Sequence, residues 1–431
     1  MRLLAVSAIA AASQLGTPGA QAVSPPQIDD KWLPKPALPA PPRPTVQREV
    51  CAALVPGASA PGPGHNPLAG LDLPRAWQLT RGAGQRVAVI DTGVSRHRRL
   101  PDVVPGGDYV STGDGTQDCD AHGTLVAGII AAAMDSADDD SGGVAPEATV
   151  IAIRQSSTKF APAGDRSRTG TGDVDTLAKA VRTAADLGAS VITISSVACV
   201  PVASAPDDRA LGAALAYAVD VKNAVVVAAA GNTGGAAQCP PQRSDATWET
   251  ATVAVSPAWY DDYVLTVGSV NAEGMPSAFT LAGPWVDVAA TGEAVSSLGC
   301  GPLSGTSFAA PVVSGLAALI RARFPTLTAR QVMRRIEATA HHPPAGRDPF
   351  VGNGTIDILA AVSTDASPPA DAPKPAPVPV ATARASEPSR PHGRDTALRG
   401  AAICLVALVG AVATGAARGR LRGSRNRVAG D

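Results

Sequence analysis

The chain has 431 residues, a formal net charge of −1 and 17% charged residues. That length accommodates a large core and more than one domain, and near-neutrality excludes a general attraction to nucleic acid. Aromatic residues make up only 3%, against 43 Gly and 39 Pro, which points to an α/β core packed with small and β-branched side chains, beside segments without regular structure.

Met1-Arg2-Leu3-Leu4-Ala5-Val6 carries one positive charge and opens an apolar run to about Ala12, and Ala20-Gln21-Ala22 puts small residues where a signal peptidase reads them. Residues 1–22 are therefore expected to be an export signal, cleaved after Ala22. Prolines are dense from 23 to 64, among them Pro25-Pro26, Pro41-Pro42 and Pro61. Proline fixes φ and lacks an N–H, so this stretch runs extended rather than forming a helix or a central strand. Val87-Ala88-Val89-Ile90-Asp91 then reads as an apolar strand ending in a carboxylate. His97, in the loop that follows, reads as structural. His122 differs: Gly123 and Thr124 lead into the apolar Leu125-Val126-Ala127-Gly128, which places an imidazole at a helix N-terminus facing a cleft. The acidic run from Asp135 to Asp140 is most simply a solvated loop. Calcium is the alternative, although the regular spacing of a calcium loop is missing.

A strand is expected over 149–153, then a polar, Gly-rich loop over 156–172, expected to be mobile and open to nicking. A helix over 174–187 closes at Gly188. The strand Val191-Ile192-Thr193-Ile194 runs into Ser195-Ser196-Val197, a helix spans 207–221, and a strand over 224–229 leads into Ala230-Gly231-Asn232. Asparagine there reads, on its own, as a turn former. Strands over 264–270 and 286–290 follow. Gly305-Thr306-Ser307 then opens a buried helix: Gly305 lets the backbone come close to a bound substrate, and Ser307 sits where unpaired N–H groups and the helix dipole favour negative charge. Pro311 costs that helix one hydrogen bond. A serine in this place is usually a cap, so its partners decide its meaning.

An amphipathic helix over 328–340 and the stretch 352–357 close the domain. The alternation of strands and helices predicts a parallel sheet with helices on both faces. Residues 371–394 are rich in Pro and Ala, an extended linker by composition. From Gly400 to Ala417 no residue is charged, and Arg399 precedes and Arg418, Arg420, Arg422, Arg425 and Arg427 follow. Eighteen helical residues span roughly 27 Å, close to the hydrocarbon thickness of a bilayer. The arginines favour a membrane span with a cytoplasmic tail, and a helix ending inside protein is the rival reading. The expected layout is a signal at 1–22, a proline-rich extension at 23–64, a catalytic domain at 65–362, a linker at 363–397, a span at 398–417 and a basic tail at 418–431.

Asp91, His122 and Ser307 occur in the order acid, base, nucleophile, which is the subtilisin order of the catalytic triad. On these motifs the chain resembles the subtilisin-like serine proteases over about 71–362. The resemblance implies that Ser307 attacks a peptide carbonyl, that His122 moves its proton, and that Asp91 fixes the imidazole tautomer. It gives Asn232 the role of side-chain donor in an oxyanion hole completed by the Ser307 N–H. It implies that the strand edge Ile151, Ala152 and Ile153 lines the groove and pairs with extended substrate, beside Ser195, Ser196 and Val197. Val197 stands where the family usually has glycine, so the pocket before the scissile bond is expected to be reshaped and the substrate range narrowed. The extension is too short and too proline-rich for the family's folded propeptide, and is expected to stay attached and wrap the catalytic domain.

The whole layout also resembles the mycosins, membrane-anchored proteases of type VII secretion systems. That implies cleavage of a few proteins secreted by the same system and association with its membrane complex. The catalytic domain then lies on the extracytoplasmic side of the cell membrane. The alternative is a mainly structural part of that complex, with proteolysis secondary. No cofactor and no metal are expected. Five cysteines precede the span, so one is left over in an oxidising exterior. The favoured pairs are Cys51 with Cys119 and Cys199 with Cys239, leaving Cys300 as a buried thiol.

Overall fold

The computed structural model describes residues 23–54, 67–134, 142–235 apart from 166 and 168, and 238–363 apart from 345. Its strands, in chain order, are β1 (Thr45–Gln47), β2 (Arg86–Asp91), β3 (Val103–Asp108), β4 (Thr149–Arg154), β5 (Phe160–Pro162), β6 (Val191–Ile194), β7 (Ala198–Pro201), β8 (Val225–Ala229), β9 (Val253–Ser256), β10 (Leu265–Val270), β11 (Val288–Thr291), β12 (Val295–Ser297) and β13 (Cys300–Leu303). Seven of them form a parallel sheet in the order β11-β10-β8-β6-β2-β4-β3. β2 and β8 read as continuous apolar runs because both faces of the sheet are covered there, and Val87 through Ile90 have no exposed surface at all. β2 lies inside the sheet, with Ile90 level with Ile153 of β4 on one side and Ile194 of β6 on the other. The carboxyl ends of β2, β6 and β8 therefore open side by side, the usual place for a binding cleft in an open parallel sheet.

Helices flank this sheet: α1 (Leu73–Trp77), α2 (His122–Ala131), α3 (Val174–Asp186), α4 (Arg209–Ala216), α5 (Thr306–Arg323), α6 (Ala329–Thr339) and α7 (Ile358–Ser363). α5 packs across β6, β8, β10 and β11 and against α2, while α3 and α4 pack on each other. α5 is buried from Thr306 to Ile320, and its Ala309, Ala310, Ala317 and Ala318 keep it close to the strands. Capping boxes fix two starts, Asp173 with Thr176 on α3 and Thr328 with Gln331 on α6. The helix expected over 207–221 is shorter as an α-helix. It begins at Arg209 and passes into a π turn, Tyr217–Val221.

Residues 23–54 lie along the domain. The Val23 N–H donates to the Trp248 carbonyl at 2.7 Å, and Arg209 stacks on the Trp32 ring at 4.0 Å. Arg182 donates to the Pro34 carbonyl, and the Thr45 hydroxyl donates to the Val110 carbonyl. β1 pairs antiparallel with β5. That ladder changes the picture of the 156–172 loop, which was expected to be mobile. The Arg48 N–H donates to the Lys159 carbonyl at 2.7 Å, the Ala163 N–H donates to the Pro44 carbonyl at 3.0 Å, and Ser157 and Thr171 exchange two backbone hydrogen bonds, so the described part of the loop is pinned. Disulfides join Cys51 to Cys119 and Cys199 to Cys239, and Cys300 belongs to neither and is half-buried rather than buried. Among the described residues no helix is long and apolar enough to cross a membrane. The expected signal, acidic run, linker and span lie outside the described residues.

Candidate active site

Asp91 ends β2 with its carboxylate fully buried. Its Oδ1 accepts from the Thr92 N–H at 2.7 Å and from His122 Nδ1 at 2.7 Å. That second bond places the imidazole proton on Nδ1 and leaves Nε2 basic. His122 is the first residue of α2, and the helix can start so close to the strand end because the next residue is glycine. A Cβ on Gly123 would lie 2.1 Å from the Gly93 carbonyl and 3.0 Å from the Asp91 Cβ. Ala121, at the N-cap, offers no side-chain cap. Asp118 replaces it: Oδ2 accepts from the Thr124 N–H at 2.8 Å and from its hydroxyl, and Oδ1 accepts from the Thr92 hydroxyl at 2.8 Å. The same Thr92 oxygen accepts from the Gly123 N–H at 2.9 Å.

Burial pulls the His122 pKa down, the largest single effect. The charge and hydrogen bond of Asp91, with the nearby charges of Asp118 and Asp120, outweigh it, so the imidazolium is favoured above its usual range. Asp118 is itself pushed up, chiefly by burial, against the hydrogen bonds from Thr124 and Thr92 that hold it down. His122 is 29% exposed, open toward the groove, and its ring tilts against Phe308 at 5.2 Å.

The opposite wall comes from the start of α5 and the end of β8. Gly305 takes φ 156°, and a Cβ there would meet Ser307 Oγ at 3.0 Å and Asn232 Nδ2 at 3.5 Å. The missing side chain thus leaves an opening flanked by a hydroxyl and an amide donor. Asn232 Oδ1 accepts from both the N–H and the hydroxyl of Thr306, at 2.9 and 3.0 Å, which turns the amide NH2 away from Thr306. Pro311 cannot donate to the Ser307 carbonyl four residues earlier, so the first turn of α5 lacks that helical bond. The Ser307 hydroxyl and His122 line the same groove without a hydrogen bond between them. Such pairs are often loose before substrate arrives.

The groove has a volume of about 870 Å³. Ser195, Ser196 and Val197 line it, as do Gly231, Asn232 and the Cys199–Cys239 disulfide. Ile151, Ala152 and Ile153 do not. β4 is hydrogen-bonded on both sides, to β2 and β3, and all three residues are completely buried, so the expected pairing with substrate is corrected here: this strand has no free edge. The groove wall on that side is built instead from 156–159 and 169–172, beyond the end of β4. Ala52, next to the Cys51 disulfide, also lines the groove.

Sequence reasoning passed over three residues: Asp118, which caps α2; Asp120, which lines the groove and accepts from the Thr158 N–H at 2.7 Å; and Thr306, which orients Asn232. The pattern Asp-Cys-Asp-Ala-His was visible, but nothing in it says which carboxylate turns inward. Among the described residues no cluster of His, Cys, Asp and Glu is suited to a metal.

The sequence of residues 82–356 matches the model of the subtilase family. Mycosin-4 of Mycobacterium tuberculosis is 69% identical, over 100% of this chain and 99% of that protein. The chain belongs to the mycosin group of the subtilase family. A solved MycP3 protease from the type VII (ESX-3) secretion system is 45% identical with a TM-score of 0.72, and the match covers 80% of this chain and 100% of that one. A chain of an intact ESX-5 inner membrane complex is 39% identical with a TM-score of 0.73, over 92% of this chain and 100% of that one. A subtilase of this kind is a serine protease, and the groove at the strand ends is where its chemistry has to be sought.

Proposed function

We propose that this serine protease cleaves peptide bonds of secreted proteins with Asp91, His122 and Ser307 as its triad. The observation that carries the reading is the 2.7 Å bond from His122 Nδ1 to the buried Asp91 carboxylate, with the Ser307 hydroxyl in the same groove. The Ser307 oxygen attacks the carbonyl carbon while its proton passes to His122 Nε2, and the buried Asp91 charge stabilises the imidazolium. The Asn232 NH2 and the Ser307 N–H bind the resulting oxyanion. The carbon–nitrogen bond then breaks, the leaving amine takes the proton from His122, and water repeats the sequence on the acyl-enzyme.

Ser195, Ser196 and Val197 contact the residues before the scissile bond, with the Val197 side chain narrowing that pocket. Labelling with a serine-directed phosphonate tests the assignment. The modified peptide is expected to contain Ser307, and label on another serine overturns it.

The likeness to a chain of an ESX-5 inner membrane complex supports work beside a type VII secretion complex. The catalytic domain, 65–362, then stands on the extracytoplasmic side of the membrane. The signal at 1–22 directs export, the extension at 23–64 stays attached, and the linker at 363–397 leads to a span at 398–417 and a cytoplasmic tail at 418–431. The same likeness favours a second reading, a structural part of such a complex. Ser307→Ala separates them: secretion lost with cleavage favours the enzyme, and secretion kept without cleavage favours the scaffold.

A further inference from the structure

The chain holds only five Trp and four Tyr, yet two of each, Trp248, Trp259, Tyr260 and Tyr263, line one cavity of about 540 Å³ together with Asp261 and Asp262. The first described residues, 23–28, complete its wall. Val23 is buried, at 3% exposure, and its main-chain nitrogen lies 2.7 Å from the Trp248 carbonyl oxygen. Aromatic rings, two carboxylates and a carbonyl oxygen bordering the cavity that residue 23 also lines are the kinds of group that bind an ammonium ion. An amide nitrogen, with one hydrogen already given to Trp248, has no use for the rest.

We propose that this cavity is a receptor for the α-ammonium group of Val23. The proposal rests on the reading of 1–22 as an export signal. Hydrolysis of the 22–23 peptide bond by an export-coupled peptidase consumes one water, leaves a carboxylate on Ala22 and frees the Val23 nitrogen as a cation with three N–H donors. One keeps the bond to the Trp248 carbonyl. The others turn to the carboxylates and rings of the cavity, and the end of the extension becomes anchored to the catalytic domain only after processing. Arg347, whose guanidinium lies 3.5 Å from Asp261 Oδ1, shares that carboxylate, so Asp262 is the cleaner residue to alter.

The test uses the full chain, exported, purified and identified by its N-terminal sequence. Its α-amine is acetylated under limiting reagent and compared with a chain that carries one extra alanine ahead of Val23, confirmed by mass. The captured amine is expected to react at least about tenfold more slowly than the displaced one, as protected groups do, and Asp262→Asn is expected to speed its reaction. Equal reactivity of the two chains, with Val23 confirmed as the first residue, overturns the receptor while leaving the processing intact. A first residue other than Val23 overturns the processing reading and the proposal with it.

Discussion

The two walls of the groove hold their functional groups by different means. On the wall that carries His122, position depends on charge and on a polar web: Asp91 holds the ring, and Asp118 ties Thr92 and Thr124 into the start of α2. On the wall that carries Ser307, position follows from the backbone, with a glycine at φ 156° and one asparagine steered by the adjacent Thr306. The first wall is therefore sensitive to pH and to the extension bonded beside it, while the second answers mainly to changes in shape.

The largest expected effect is on the second wall: Ser307→Ala lowers kcat by about 10⁶, measured with a peptide substrate at saturation, and leaves binding in place. On the first wall, Cys51→Ser opens a disulfide spanning 68 residues, with an expected loss of about 4 kcal/mol of stability on a chain-entropy argument. Thermal unfolding with the enzyme both reduced and oxidised measures it, and an unchanged midpoint refutes the anchoring role. Asn232→Ala is expected to lower kcat by about 10² to 10³ with KM little changed. A rise in KM alone would make it a substrate-binding residue instead.

Thr306→Val removes one of the two donors on Asn232 Oδ1 and the hydroxyl that accepts from the Gly231 N–H. Turnover is expected to fall roughly tenfold to a hundredfold as the amide loses its aim. The smallest effect belongs to pH. His122 must be neutral to act as a base, and its pKa is raised, so the acid limb of kcat/KM is expected above 6.5 and moves down in Asp120→Asn. The same shift means that folding favours the imidazolium. Its stabilising contribution is full below the unfolded pKa and is lost as pH climbs through the folded one.

The central features of this molecule are legible in its sequence where chemistry coincides with element ends. An apolar run that stops at a carboxylate, a histidine that starts one helix and a serine after Gly-Thr at the start of another carry their positions with them. The parallel sheet flanked by helices follows from the same alternation. Hidden are the features that depend on neighbours distant in sequence. Ile151, Ala152 and Ile153 read alike whether their strand is an edge or an interior member, and only the pairing of β3 outside β4 decides it. Asp118 is one of two carboxylates around Cys119, and its inward turn is set by Thr92, 26 residues away. The short strands β7 and β9 find each other across more than fifty residues and leave no local pattern.

Ala52 contributes to a cleft whose proposed triad, Asp91, His122 and Ser307, lies wholly downstream of it in the chain. A recombinant fragment cut to begin at the first helix would retain each of those side chains and still present a groove with one wall missing a piece. Selectivity profiles gathered on such a fragment are expected to differ from those of the chain that keeps residues 23–54, even where turnover on a short peptide is the same.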